Sequence, residues 1–311
     1  MREELSVKLE VRNIHKSFGE KEILHGISFD VENGKALGLL GRNGAGKTTT
    51  IRILMDVFRA SSGEILLDGK PFERSKVQIG YLPEERGLYP KRTVMEQVVF
   101  LGKLRGMNTK DAKRSAKKWL ERLEVLEYAN RKLETLSKGN QQKVQLASTL
   151  VNEPEIVILD EPFSGLDPVN SQILKDVVNE LIADNRIVIF SSHQMSYVEE
   201  FCDNIAIINQ GQIVLAGNLK EIQREYGKNR LTLSANNMDV ETLSEYVTKN
   251  MADVVTVSEC KKAFVVLELT EGKSNMDVVK RLSDSKIEVA KYGIYEPSLN
   301  DIFIAKVGEM A

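Results

Sequence analysis

The sequence predicts an α/β protein with a mixed sheet, followed by a smaller α+β domain. A glycine-rich loop, Gly41–Thr49, joins a short apolar run to a segment with helical spacing. Up to about residue 227, short apolar runs that end in polar side chains alternate with helical patterns, which is typical of buried strands in an α/β sheet. From residue 228 the order becomes strand, helix, strand, strand, helix, strand, the order of a ferredoxin-like unit. We therefore expect one domain over 1–227, with a helical subdomain at about 90–152, and a second domain over 228–311.

The loop fits the phosphate-binding pattern G-x-x-x-x-G-K-[ST]. Glycines allow backbone angles at which successive N–H groups point at phosphate oxygens, and the following helix adds its positive dipole end. We expect Lys47 to reach the β and γ phosphates of a nucleotide and the Thr48 hydroxyl to hold Mg²⁺. The alternative is a glycine-rich turn with a chance lysine. The residues expected to surround the phosphates are Gly41, Arg42, Asn43, Gly44, Ala45, Gly46, Lys47, Thr48 and Thr49.

Strands are predicted on both sides of this loop. Residues 7–11 alternate between polar and apolar, and residues 27–31 form a second strand. Phe18 lies between them, where its ring either stacks on adenine or packs within a hairpin. After the loop, Thr49–Phe58 is expected to be a helix and residues 79–83 a short strand. Thr93–Met107 and Thr109–Tyr128 are expected to be two further helices.

A second potential anion site lies at residues 136–144. Ser137 is a good N-cap for a helical pattern that continues to Val151. Backbone N–H groups at a helix start favour anions, so this helix start is a candidate phosphate contact.

Two acidic residues end the next strand. Asp160 and Glu161 follow the apolar run 156–159, and carboxylates in such a place are costly unless a cation meets them. We expect Asp160 to lie in the outer coordination sphere of Mg²⁺ and Glu161 to polarise an attacking water. The alternative is two surface acids at a strand end.

A helix at 169–184 and a strand at 187–190 follow. His193 comes just after that strand, at the edge where α/β sheets bind ligands.

Composition limits the possible functions. The chain has 311 residues and a net charge of −2, which does not favour a polyanion as partner. Its two cysteines match no metal spacing. No window approaches the length of apolar sequence that spans a bilayer, so a role in transport requires another chain to supply the pore.

Taken together, residues 7–226 resemble the ATP-binding cassette (ABC) ATPase family. The phosphate loop, the pair Asp160-Glu161, the loop 164–167 and His193 occur in the family's order, and Leu136–Gln141 falls where the family has Leu-Ser-Gly-Gly-Gln. The resemblance implies a head-to-tail dimer that holds ATP between one copy's phosphate loop and Ser137 and Gly139 of the other. It further implies that His193 contacts the γ-phosphate and that Asp167 bridges the two sites.

Two positions depart from the family pattern. Lys138 and Asn140 replace a glycine and a glutamine of the signature sequence, and Glu84 stands where the family has a glutamine that monitors the metal and contacts the transmembrane partner. A carboxylate still binds Mg²⁺, so the metal role is assigned to Glu84 with Thr48 and Asp160. These variations look similar to exporter ATPase subunits linked to sodium or drug efflux, many of which carry an accessory domain after the cassette.

The resemblance implies an ATP-hydrolysing motor subunit, peripheral on the cytoplasmic face of the membrane, that drives a separate permease in export and binds no nucleic acid. A soluble ABC ATPase acting on ribosomes or DNA is the alternative. Ribosome-type members carry two cassettes in one chain, and DNA-repair members carry long coiled coils; neither feature is present. A GTPase-like switch is disfavoured because the Asn-Lys-x-Asp guanine-reading pattern is absent.

Overall fold

The computed structural model describes residues 7–85 and 87–308. The chain folds into two compact units, one that ends at Leu219 and takes in residues from Lys306 onward, and one that spans Lys220–Ala305. The division at Leu219 lies a little before the boundary expected at residue 227. The outermost ends of both expected domains, 1–6 and 309–311, lie outside the described residues.

The first unit contains a six-stranded mixed sheet and a four-stranded antiparallel sheet. Its strands are β1 (Lys8–Phe18), β2 (Lys21–Glu32), β3 (Ala36–Leu40), β4 (Ser62–Leu67), β5 (Lys70–Pro71), β6 (Ile79–Leu82), β7 (Ile156–Asp160), β8 (Ile187–Ser191), β9 (Asn204–Asn209) and β10 (Gln212–Asn218). The mixed sheet has the order β10-β9-β3-β8-β7-β6, and all its pairs are parallel except the β9–β10 hairpin. The antiparallel sheet has the order β2-β1-β4-β5.

Helices cover the mixed sheet and form the predicted helical region. They are α1 (Lys47–Leu54), α2 (Val94–Leu104), α3 (Thr109–Arg122), α4 (Lys138–Leu150), α5 (Pro168–Ala183) and α6 (Met195–Phe201). Strands β3, β7 and β8 are fully buried, which explains why their sequences are continuous apolar runs rather than alternating patterns. Leu39, Ile51, Ile158 and Ile189 share one hydrophobic core, which joins these strands to α1.

Element ends differ from the predictions where the backbone turns left-handed. Helix α1 ends at Leu54 instead of Phe58 because Asp56 has a φ of 57°, which is incompatible with a right-handed helix. Helix α3 ends at Arg122 instead of Tyr128 for the same reason, since Glu124 also has a φ of 57°. The strands expected at 7–11 and 27–31 are longer than predicted because they form one continuous hairpin, β1–β2.

The second unit has the predicted ferredoxin-like fold. Its strands are β11 (Arg230–Ala235), β12 (Val255–Cys260), β13 (Val265–Leu269) and β14 (Val289–Ile294), in the antiparallel order β12-β13-β11-β14. Helices α8 (Val240–Asn250) and α9 (Asn275–Ser283) pack on one face, where Leu233, Val247 and Val278 are fully buried. Helices α7 (Leu219–Tyr226) and α10 (Leu299–Gly308) lie at the two ends of this region.

The parallel strands place the expected functional residues at one edge of the mixed sheet. β3, β7 and β8 are neighbours, so the loop after β3, Asp160 at the end of β7 and the residues after β8 come together. No helix within residues 7–85 and 87–308 has the length and apolar character needed to cross a bilayer.

Candidate functional site

The phosphate loop is held in shape by close backbone packing. Gly46, the N-cap of α1, has a left-handed φ of 118°, and a β-carbon there would lie 2.6 Å from Leu24 Cδ2. At Gly41 a β-carbon would lie 2.4 Å from the carbonyl oxygen of Ile208, which belongs to the adjacent β9. Glycine is therefore required at both ends of the loop by the space available as well as by the backbone angle at Gly46.

Lys47 is the first residue of α1, and its side chain reaches back to the loop. Its ammonium donates to the carbonyl oxygens of Gly41 at 2.7 Å and Arg42 at 3.3 Å. Burial lowers the pKa of Lys47 below its usual value, and the carboxylates of Asp160, Glu161 and Glu84 oppose that shift. A partly desolvated ammonium is a ready partner for phosphate oxygens, because an anion brought there meets a charge that water screens poorly.

Asp160 ends β7 with 6% of its surface exposed. Burial raises the pKa of its carboxyl, while the Tyr81 hydroxyl, which donates to Oδ2 at 3.3 Å, and the charge of Lys47 favour the ionised form. In turn, burial and the neighbouring carboxylate raise the pKa of Tyr81 to about 12. Tyr81 therefore remains a neutral donor at physiological pH.

Glu161 is the most firmly oriented carboxylate of the site. It is 6% exposed and has a φ of 49°, a conformation uncommon for residues other than glycine. Oε2 accepts from the Ser192 hydroxyl at 3.0 Å, and Oε1 accepts from the His193 backbone N–H at 2.6 Å. The His193 ring approaches the same oxygen, with Nδ1 2.6 Å from Oε1, although two thirds of the His193 side-chain surface is exposed. The backbone strain and three contacts point to a group held in place for chemistry.

Helix α4 begins where the sequence predicts a second anion site, and the anion contact itself stays a prediction. Ser137 is the N-cap, and its hydroxyl accepts from the Asn140 N–H at 3.3 Å. Gly139 packs so closely on Asn170 that a β-carbon there would lie 2.8 Å from Nδ2. Asp167, the N-cap of α5, accepts from both the backbone and the side chain of Asn170, and the backbone N–H bond lowers its pKa. The starts of α4 and α5 thus form one cluster around Asn170.

The remaining predicted residues lie where a ligand has access. Phe18 ends β1 and is 46% exposed, with its ring edge-on to Phe58 at 5.2 Å between centroids and Lys16 Nζ 4.8 Å from its centroid. This ring therefore packs against Phe58, which lies beyond the end of α1, while remaining available for stacking, and its adenine contact stays a prediction. Side chains that are exposed at the loop or near it are Arg42, Asn43, Thr48 and Glu84; Ala45 is buried, and Thr49 is half-buried.

Sequence patterns alone do not identify several residues that support the site. Ser192 follows a buried strand, Tyr81 lies within a predicted strand, and Gln142 and Gln145 lie within a predicted helix. The signal in each case is a polar side chain beside apolar neighbours, but its partner lies 20 to 80 residues away in sequence and is set by the fold.

The oxygen donors at this edge suit magnesium. Asp160 supplies a buried carboxylate whose pKa is raised by burial, so a nearby cation would stabilise its ionised form. Thr48 supplies an exposed hydroxyl at the first turn of α1. Among the described residues no group of three or more His, Cys, Asp and Glu side chains could hold a metal ion unaided. The site therefore fits a cation held jointly by one or two side-chain oxygens, water and phosphate oxygens, which is the usual way that proteins bind Mg²⁺ with a nucleotide.

Comparisons with known proteins agree with this geometry. Residues 24–164 match the model of the ABC transporter family, and residues 217–307 match that of the C-terminal domain of DrrA1-3-like ATP-binding proteins. An uncharacterised ABC transporter ATP-binding protein of Bacillus subtilis strain 168, YhaQ, is 41% identical over 96% of this chain and 98% of its own length. The Nod factor export ATP-binding protein I of Burkholderia lata is 34% identical over 67% of this chain and 70% of its own length.

A solved structure of the ATP-binding subunit of an ABC transporter also aligns with this chain. The TM-score is 0.64, with 27% identity over 77% of this chain and 99% of the other. The fold predicted from the sequence, a cassette followed by a ferredoxin-like domain, is confirmed.

Substitution at Gly41 tests the role of loop packing. We expect Gly41→Ala to weaken binding of a fluorescent ATP analogue at least ~10-fold, because the added methyl group must displace the Ile208 carbonyl or the loop itself. Gly293→Ala is the matched control, since a β-carbon there meets nothing within 4 Å. Equal affinities of the two variants and the wild type would show that this close approach does not shape the nucleotide site.

Proposed function

The chain belongs to the ABC transporter ATP-binding family, whose members hydrolyse ATP, and from that premise we propose that it is the motor subunit of an exporter. Two copies bind two ATP molecules between them and drive a separate transmembrane permease. The observation that carries the proposal is the arrangement of Glu161: a buried, oriented carboxylate beside the phosphate loop, held by Ser192 and His193.

The chain's own residues account for the steps of hydrolysis. The loop N–H groups and Lys47 bind the β and γ phosphates and stabilise the charge that develops on them. Glu161 accepts a hydrogen bond from the attacking water and aligns it with the γ-phosphorus. Since His193 Nδ1 faces Glu161, Nε2 is the ring atom left for the γ-phosphate, where it donates when the imidazole carries both protons.

Thr48, Asp160 and Glu84 are the residues that would hold Mg²⁺ beside the phosphates. When bound, the ion would supply positive charge that offsets the negative charge of the phosphates. The Tyr81 hydroxyl orients the Asp160 carboxylate. Glu84 lies in an exposed loop, close enough to Lys47 for its charge to oppose the lowering of that lysine's pKa by burial.

The start of α4 supplies the contact between copies. Ser137 and the Gly139 N–H bind the γ-phosphate held by the partner's loop, and the positive end of the α4 dipole strengthens that contact. Asp167 lies in the same cluster and bridges the two sites. ATP therefore joins the two copies, and hydrolysis separates them.

The relatives support a permease partner and an export direction. ATP-binding subunits of this family act with transmembrane components, and the name of the Burkholderia relative refers to export. Together with the absence of a spanning helix among the described residues, this supports a peripheral position on the cytoplasmic face of the membrane.

Glu161→Gln tests the catalytic assignment. Glutamine has the same shape and keeps one oxygen that can accept from the His193 N–H, while its NH2 group can donate to the Ser192 hydroxyl oxygen. It is a far weaker base than the carboxylate, so we expect kcat for ATP to fall by at least ~100-fold while ATP-dependent dimers accumulate on gel filtration. Glu271→Gln, an exposed change in the second unit, is the matched control and should leave both measurements unaltered. Wild-type turnover in Glu161→Gln would remove Glu161 from the mechanism.

Affinity purification tests the partner. We expect the tagged chain, recovered from detergent-solubilised native membranes, to bring down a multi-span membrane protein in a fixed ratio that survives a high-salt wash. Recovery of ribosomes, or of the chain alone, would contradict the transporter role and leave a soluble ATPase.

A further inference from the structure

Helix α4 carries two buried glutamines on one face. Gln142 and Gln145 are each 3% exposed and lie three residues apart, so their side chains leave the helix in similar directions. A buried primary amide is costly unless it is hydrogen-bonded, which makes the partners of these two side chains informative.

Gln145 holds the loop that contains Glu84. Its Nε2 donates to the carbonyl oxygen of Pro83 at 3.1 Å and to that of Glu85 at 3.2 Å, one on each side of Glu84. Within the described part of the chain, Oε1 of Gln145 has no hydrogen-bond partner, so the polar contacts of this side chain are the two bonds to the loop. Both carbonyls lie beyond the end of β6, where the sheet no longer supplies backbone donors, so the Gln145 side-chain amide is the donor that bonds them.

Gln142 makes the equivalent contact on the other side of the site. Its Nε2 donates to the carbonyl oxygen of Pro162 at 3.1 Å in a buried setting. Pro162 directly follows Glu161, the residue to which water activation is assigned. One helix is thus bonded to the backbone beside both Glu84 and Glu161.

We propose that Gln142 and Gln145 are positioning residues through which α4 sets Glu161 and Glu84. The N-terminal end of the same helix carries Ser137 and Gly139, which meet the ATP bound by the other copy. Engagement of that distant ATP therefore adjusts the metal- and water-handling carboxylates of the chain's own site, and the two ATP sites of a dimer are coupled through α4. This inference rests on the proposed function, because it takes the roles of Glu84, Glu161 and Ser137 from it.

The transmission is physically direct. A helix moves as a rigid element, and Ser137 and Gln145 are eight residues apart, which is about 12 Å along the axis. A displacement of the helix start is passed to the Glu84 loop without a flexible segment between them. Loss of a buried hydrogen bond is worth about tenfold in an equilibrium or a rate, so the effect is large enough to measure.

The first experiment measures kcat and KM for ATP in Gln145→Met. Methionine matches glutamine in length and packs well, but it donates no hydrogen bond. We expect kcat to fall about tenfold with little change in KM, because the phosphate loop is intact while Glu84 is misplaced. Gln145→Leu, which has no donor at all, should have the same effect and covers the case in which the methionine variant does not fold.

Thr149→Val is the matched control on the same helix. Thr149 is also buried, and its hydroxyl bonds the Tyr81 carbonyl of β6 at 3.3 Å instead of the Glu84 loop. The Thr149→Val variant should keep kcat within about twofold of wild type. If both Gln145 variants fold and also keep wild-type kcat, the positioning role is wrong.

Double-mutant cycles separate this inference from the proposed function. If Gln145 acts through Glu84, Gln145→Met should reduce kcat little further in a Glu84→Ala background; independent effects that multiply would overturn the inference alone. An unchanged kcat in Glu84→Ala itself would overturn both the assignment of Glu84 and the inference.

A second cycle tests the coupling along the helix. Ser137→Asp keeps a good N-cap but repels the partner's γ-phosphate. Positions about 12 Å apart normally contribute additively, so non-additive effects of Ser137→Asp and Gln145→Met on kcat are expected only if α4 links them. Additive effects would show that the two ends of α4 act independently.

Discussion

The structure depends on the burial of two carboxylates at the end of β7. Asp160 and Glu161 are each 6% exposed, and leaving such charges in a protein interior without partners is costly. The surrounding elements meet this demand: β6 provides the Tyr81 hydroxyl, the loop after β3 provides Lys47, and the segment after β8 provides Ser192 and the His193 N–H. A polyphosphate with its metal ion is the ligand that such an arrangement of cationic, acidic and N–H groups suits best.

The same constraint explains the parallel sheet and the role of α4. Only adjacent parallel strands bring the ends of β3, β7 and β8 to one edge, so the residues proposed as catalytic come from distant parts of the chain. Helix α4 contributes no group to this edge in its own copy, yet its glutamines bond the backbone next to Glu84 and Glu161. Under the proposed function, the exposed start of α4 binds the phosphates held by a second copy. Each chain would then contribute its loop to one ATP site and its α4 start to the other, which is the physical reason for expecting a dimer.

Much of this was predictable from the sequence, and the exceptions have physical causes. The phosphate loop, the buried strand ending in Asp160, the N-cap Ser137 and the ferredoxin-like order all depend on local patterns, and the structure has each of them. Helices α1 and α3 end earlier than the sequence pattern predicts, because the left-handed backbone conformation at Asp56 and Glu124 has no strong signal in the local sequence. The contacts of Ser192, Tyr81 and Gln145 were missed because their partners are brought close only by the folded sheet.

The most direct test of the account is a cross-link across the expected ATP interface. Asn43→Cys and Lys138→Cys place exposed thiols at the phosphate loop and at the start of α4. Cys260 is exposed and is replaced by serine, whereas the buried Cys202, whose pKa is raised by burial, stays unreactive. With a short bifunctional maleimide in a Glu161→Gln background, the account predicts a cross-linked dimer in the presence of ATP and Mg²⁺ and none without nucleotide. A cross-link that forms equally without ATP, or none under either condition, would contradict an ATP molecule shared between the loop of one copy and α4 of the other.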